Sequence, residues 1–300
     1  MSASPDSELQ LRPTPSPAPE STVPVPLGDI CAVFGATGAC GSNLVEELLG
    51  SPEIGQVYCF TRRPTTKHLK NPKYKEVLLT GNLLEDLETK FPQSCDVVFS
   101  GLATTIKQAG SEEKMRAIDY GMNMTIAKFA REERNVPQYY LISSAGSDAN
   151  SRFFYLRMKG ELENAIQALN FPRSVILRPS VLMGADRPEF RFGEWILANL
   201  VAPVWCFTTG WLGSIAPINV RDVAKSMATD YIAHRHLNTS LREKYQIETT
   251  TTKPLPGQFI LLDGSAAILS VLTKPATLDM NFNGNDSKNA AKKDSKVDAV

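Results

Sequence analysis

The sequence predicts a doubly wound α/β domain with a mostly parallel sheet, and three observations predict it. Short runs rich in β-branched residues recur along the chain, helix-like segments separate them, and the first run passes into a glycine-spaced turn that opens a helix. The runs are nearly continuous in hydrophobicity, as strands buried on both faces of a parallel sheet must be. Strand and helix alternating in this way put a ligand at the carboxyl ends of the strands.

In chain order the runs are "DICAVFG", "QVYCFTRR", "DVVFSGL", "QYYLISSAG", "SVILRPSVL" and "QFILLDG". "SNLVEELL" follows the first as a helix, "SEEKMRAIDYGMNMTIAKFAREE" precedes the fourth, and "SRFFYLRMKGELENAIQAL" precedes the fifth. Ser42, Ser151 and Ser265 stand where helix caps are expected, the last at the start of "SAAILSVL". The stretch from Gly184 to about Pro217 breaks the alternation, so residues 184–218 are expected to form a small substrate-covering subregion. No internal repeat is visible.

The first 28 residues hold seven prolines among Ser, Thr, Ala and Glu and cannot bury enough apolar surface to fold. They are expected to be a disordered tail, residues 29–275 the folded domain, and the polar residues 276–300 a second disordered tail. The N-terminal tail has one arginine, Arg12, against Asp6, Glu8 and Glu20, unlike an Arg-rich, acid-poor mitochondrial presequence. Lys plus Arg and Asp plus Glu each total 32, and this balance gives no phosphate-neutralising surface for nucleic acid. The five cysteines are scattered, mostly in or beside apolar runs, and read as reduced thiols of an intracellular protein.

The first run enters "FGATGACGSNL", where Gly35, Gly38 and Gly41 have the spacing G-x-x-G-x-x-G around Thr37. Glycines there permit a tight turn and let the backbone approach a pyrophosphate at the helix N-terminus, where N–H groups and the dipole favour negative charge. A glycine triplet alone is a weak signal; one between an apolar strand and a helix has the context dinucleotide binding requires. At the end of the second run an NAD site usually places an acid for the ribose hydroxyl. Here "CFTRRP" supplies Arg62 and Arg63 instead, two guanidiniums suited to the 2′-phosphate of NADPH. Gly101, at the end of "DVVFSG", lets the backbone pass close to the cofactor's riboses.

Tyr155 and Lys159 lie four apart and share a helix face just beyond the strand "YYLISSAG". The spacing alone means little; its position at a strand's carboxyl end means more. A phenol with a pKa near 10 is a poor base at neutral pH, and a neighbouring ammonium is expected to lower that value. Tyr155 then serves as acid or base for a carbonyl or alcohol, Lys159 as its electrostatic partner, and Ser144 as polariser of the same oxygen, with Ser143 as the fallback.

Taken together, "FGATGACGSNL", "TRRP", "LISSAGSDANSRFFYLRMKGELE", "RPSVLMG" and "GEW" resemble the atypical short-chain dehydrogenase/reductases. The resemblance spans roughly Ile30 to Ala233 and is closest to the branch of the Tat-interacting-protein oxidoreductase and a similar fungal mitochondrial outer-membrane protein. It implies a Rossmann fold, NADPH held at Gly35, Gly38, Gly41, Arg62 and Arg63, and catalytic roles for Ser144, Tyr155 and Lys159. It further implies a location on the cytosolic side of the mitochondrial outer membrane, with the cytoplasm as the alternative. The chain departs from the family's commoner pattern twice. Asp119 stands where many members have a relay asparagine, and the loop between Ser144 and Tyr155 is shorter than usual. Both departures motivate an alternative of another class, an NADPH-binding regulatory or scaffold protein with little turnover.

From Glu194 to Arg221 no charged residue intervenes. Pro203, Gly210, Gly213 and Pro217 interrupt the stretch, which favours a buried helix and apolar lid over a membrane span. Peripheral contact with a bilayer through Trp205, Phe207 and Trp211 is the rival expectation. His68, His234 and His236 lack the partner ligands of a metal site, so none is expected. The substrate and the oligomeric state are not readable from these residues.

Overall fold

The structure, a computed structural model, describes residues 28–184, 216–235 and 258–273. Both expected tails and nearly all of the expected covering subregion, with Trp205, Cys206, Phe207 and Trp211, lie outside these residues, as does His236.

All six runs form strands: β1 Asp29–Phe34, β2 Ile54–Thr61, β4 Val97–Ser100, β5 Gln138–Ile142, β6 Arg173–Arg178 and β9 Gln258–Asp263. A strand not anticipated, β3 Tyr74–Leu78, adds the sheet edge. Its sequence, YKEVL, carries two adjacent charges, Lys75 and Glu76, as suits an edge whose backbone must not recruit another chain. The order is β3-β2-β1-β4-β5-β6-β9, with every pairing parallel. The chain therefore reverses direction across the sheet between β1 and β4, and the crevice at such a reversal is where doubly wound sheets bind ligands.

Side chains of a strand alternate between faces, and β1 shows the consequence. Cys31 and Val33 pack with α1 (Ala39–Gly50), α7 (Val220–His234) and α8 (Gly264–Thr273) on one face. Ala32 and Phe34 pack on the other face with α2 (Leu83–Lys90), α5 (Asn123–Lys128) and α6 (Phe154–Ala168). The helix before β5 is not uniform: α4 (Glu112–Arg116) runs into a π-helical turn, Ala117–Met122, then α5, then a second π turn, Phe129–Glu133. A short α3 (Ile106–Ala109) precedes it. No helix among the described residues is long and apolar enough to cross a membrane.

None of the three expected serine caps holds. α1 begins one turn earlier than Ser42, at Gly38, and no side chain caps it. The cap of α6 is Phe153; Ser151 lies outside the helix, where its hydroxyl accepts from the Phe153 N–H at 3.2 Å. Ser265 is inside α8, donating to the Ala216 carbonyl, and Ser180 donates to the same oxygen at 2.5 Å. The short β7 (Leu182–Met183) pairs with β8 (Ile218–Asn219) beside this junction.

At the opposite end of the sheet from the crevice, Arg173 and Asp230 form a wholly buried ion pair at 2.8 Å. Tyr140 donates to Asp230 at 2.6 Å, and His234 lies 3.4 Å from the same carboxylate. The network fastens α7 to the starts of β5 and β6. Burial opposes the charge on Asp230, yet the hydrogen bond from His234 and the Arg173 guanidinium hold its pKa down at about 2.

Candidate functional site

The glycine turn takes the shape its spacing requires. Gly35 has φ +79°, a left-handed conformation that L side chains rarely adopt, and a Cβ there would lie 2.7 Å from the Gly101 carbonyl oxygen. A Cβ on Gly41 would lie 2.1 Å from the Gly35 carbonyl oxygen. Gly38 N–H donates to that oxygen at 2.8 Å, closing the turn, while Gly101 N–H donates to the Phe34 carbonyl at 3.0 Å. The turn, with exposed Thr37, is thus wedged between α1 and the end of β4.

A cavity of about 660 Å³ opens beside the turn. Its wall runs from Ala36–Ala39 to Pro64–His68, the loop after β2, and to Asn219 and Arg221 at the start of α7. Arg62 and Arg63 follow β2 directly and are exposed, just ahead of the lining residues. Two cationic lining residues, Lys67 and Arg221, were missed by sequence reasoning; only the folding together of distant segments reveals them. Cys40, on the first turn of α1, is buried, and its thiol is pushed up to about 12 by desolvation, so it is no nucleophile at neutral pH.

At the carboxyl end of β5 the second cluster assembles. Tyr155, on the first turn of α6, is 6% exposed, Ser144 5% and Lys159 1%. The Ser144 side chain hydrogen-bonds the phenol, and Lys159 Nζ sits 5.9 Å from the centre of the Tyr155 ring. Lys159 also pairs with the buried Asp119 at 3.3 Å. The structure therefore brings Ser144, Tyr155 and Lys159 together and adds Asp119. The fallback, Ser143, is otherwise engaged: its hydroxyl donates to Glu163, which Arg178 grips with a 2.5 Å ion pair.

The short Ser144–Tyr155 loop closes by lying on α6. Ser147 donates to the Ser144 carbonyl at 2.7 Å, and the Asp148 N–H donates to the Leu156 carbonyl at 3.2 Å. Gly160 makes this approach possible, since a Cβ there would sit 2.2 Å from the Ala149 nitrogen. Nothing in the sequence reading singled out this glycine.

The electrostatics correct one expectation. The phenol's pKa is raised rather than lowered: desolvation drives it up, Lys159 draws it down, and Asp119 drives it up again. Burial opposes charge on Lys159, but Tyr155 and Asp119 together keep its pKa above the ordinary lysine value. At neutral pH the cluster holds a phenol and an ammonium, so it is ready to give a proton rather than take one.

The residues present fit a dinucleotide. The cradle at Gly35 and Gly41 is one that side chains would fill, the α1 N-terminus beside it carries no capping side chain, and the cavity continues along it. Fold and turn together define an NAD(P)H-binding protein of Rossmann type. Residues 35–194 match a family model described as NAD(P)H-binding. The chain is 35% identical over 219 residues to "Protein FMP52, mitochondrial" of Candida albicans, covering 71% of this chain and 91% of that protein. It is 38% identical over 171 residues to the protein of that name in Candida glabrata, covering 56% and 70%. The chain belongs to this NAD(P)H-binding family, alongside the FMP52 proteins. In fold it is similar to the oxidoreductase ylbE of Lactococcus lactis, with a TM-score of 0.50 and 15% identity over 82% of this chain and 95% of that one.

Proposed function

We propose that the chain is an NADPH-dependent oxidoreductase of the atypical short-chain dehydrogenase type, acting on a carbonyl or alcohol substrate. The observation that carries this reading is the convergence of Ser144, Tyr155 and Lys159 at the end of β5, in the same fold as a glycine turn shaped for a pyrophosphate.

Gly35, Thr37, Gly38 and Gly41 hold the pyrophosphate, Gly101 gives the riboses room, and Arg62 and Arg63 take the 2′-phosphate, with Lys67 and Arg221 nearby in the cavity wall. The bound cofactor supplies hydride to the carbonyl carbon. Ser144 orients the carbonyl oxygen, and Tyr155 releases its proton to that oxygen as charge develops there. Lys159 stabilises the phenolate left behind and hydrogen-bonds the ribose next to the nicotinamide. Asp119, already paired with the lysine, stands where a relay asparagine is common.

Purified protein with NADPH is screened against aldehydes, ketones and quinones, beside Tyr155→Phe. The variant is expected to bind NADPH normally and lose turnover; a variant that keeps full cellular function while still binding cofactor moves the assignment to a regulatory NADPH-binding protein. Fluorescence titration should show NADPH binding about tenfold tighter than NADH, a difference of about 1.4 kcal/mol. Equal affinities discard the role of Arg62 and Arg63.

The mitochondrial designation of the relatives supports a place on the mitochondrion, and the resemblance supports peripheral contact with the cytosolic side of its outer membrane. Carbonate extraction of organelles should release the protein; retention in the pellet overturns peripheral attachment.

A further inference from the structure

We propose that Asp119 is a positioning residue that, through Lys159 and Thr104, keeps the Tyr155 phenol protonated and so sets the pH range over which it can act as an acid. This rests on Tyr155 being the acid of the reaction.

Asp119 sits on the π turn Ala117–Met122 and is fully buried. A π turn widens the helix, is rare, and occurs often at functional sites. Here three contacts hold it. One carboxylate oxygen accepts from the Thr104 N–H at 2.7 Å, and the other lies 3.3 Å from Lys159 Nζ. The Asp119 carbonyl accepts from Asn123 Nδ2 at 2.8 Å, and Asn123 also accepts from Ser100 at the end of β4. The carboxylate thereby ties the loop after β4 to the second turn of α6.

The balance of charge gives this geometry its consequence. A buried ammonium needs a counter-charge. With an uncharged residue at position 119, the nearest group able to supply one is the phenol, by ionising. With a carboxylate there, the ammonium is already matched, and the phenol keeps its proton. Of the other groups facing the cluster, only Glu163 also favours the ammonium, and less than Asp119 does. Glu163, one turn further along α6, is taken by Arg178 and Ser143. Ser144 from β5 and Asn123 from α5 are neutral, and the loop after β4 presents the Thr104 N–H. Arg116 and Glu161 pair with each other at 2.6 Å on the exposed side.

In the reduction the carbonyl carbon gains the hydride, the carbonyl oxygen gains the phenol proton, and solvent reprotonates the phenolate. Phenolate is the product of this step and the starting state of its reverse, so Asp119 shifts the pH range of both and the direction of neither. Asparagine at this position keeps the shape and the Thr104 contact but removes the charge.

The test reads Tyr155 directly, without turnover. Tyrosinate absorbance is titrated in the full-length protein and in Asp119→Asn, each minus its Tyr155→Phe counterpart, so that the remaining tyrosines cancel. Tyr155 in Asp119→Asn should ionise about one pH unit lower, and Asp119→Glu should restore the alkaline transition. The alkaline limb of carbonyl reduction should move down by the same amount. A Tyr155 transition at the same or higher pH in Asp119→Asn overturns the proposal. If Asp119→Asn does not fold, Asp119→Ser carries the same expectation. Full turnover by Tyr155→Phe would instead defeat the acid assignment, an outcome read from a different variant and a different signal.

Discussion

Gly160 and Ala149 meet backbone to backbone, close enough that a methyl group on Gly160 would lie 2.2 Å from the Ala149 nitrogen. The contact seats the loop carrying Ser144 against the helix carrying Tyr155 and Lys159. Gly160→Ala must push that loop away, at about 1–3 kcal/mol for overpacking. Thermal unfolding should report the loss of stability, and turnover should fall further than cofactor affinity because Ser144 moves with the loop. Unchanged melting and unchanged kcat would show that the loop yields freely.

Gly41→Ala attacks the other half of the site. Its new Cβ would lie 2.1 Å from the Gly35 carbonyl oxygen, so the turn has to open. NADPH affinity should weaken by at least about tenfold, or about 1.4 kcal/mol, with the far-ultraviolet circular dichroism preserved. A variant that binds as tightly as the parent would mean that the turn does not carry the pyrophosphate.

Ser143→Ala and Ser144→Ala should separate cleanly. Removing Ser144 takes a hydrogen bond from the phenol and, under the proposed mechanism, a polarising donor from the substrate oxygen, for an expected loss of about 10²-fold in kcat. Removing Ser143 leaves Glu163 short of a donor and should appear mainly in the melting temperature. Equal kinetic effects from both would refute the distinction.

The buried network at the far end of the sheet sets stability. Asp230→Asn leaves Arg173 buried without its counter-charge, at about 3–5 kcal/mol. The pH dependence has two edges. Asp230 is depressed from its ordinary 3.8 to about 2, so its contribution is present above the ordinary carboxylate range and disappears as pH falls toward 2. Burial works against charge on His234, but its hydrogen bond to Asp230 raises its pKa above 6.5. That contribution is complete below 6.5 and is lost as pH rises through the raised value. Melting curves across pH should show both edges in the parent, and in Asp230→Asn a smaller acid edge and no edge from His234.

Much of this was legible in the chain. The six apolar runs and the glycine spacing are dictated by local rules, burial on both faces and a turn that admits no side chain, so they could be read in order. The Tyr155–Lys159 pair was legible because helical periodicity alone brings i and i+4 together. Ser144 was preferred to Ser143 only by its place in the motif, since adjacent residues at a strand end face opposite ways and the face depends on what packs there. Asp119 was visible as a departure, but its grip on Lys159 depends on a π turn that no residue pattern announced. The raised phenol pKa escaped for the same reason: the sequence shows the lysine and hides the burial. Gly160, Lys67 and Arg221 matter only through segments that folding brings beside them.

The junction at Ala216 has a consequence for how such a protein can diverge. Ser180 and Ser265 both anchor that carbonyl, beside the point where β7 and β8 pair, so Ala216 is fastened at once to the loop after β6 and to α8. Changes of length or composition between Gly184 and Ala216 are therefore expected to leave the distances among turn, phenol and ammonium fixed. On the expectation that residues 184–218 cover the substrate, grafting a relative's segment at these borders should exchange preference without disturbing cofactor affinity.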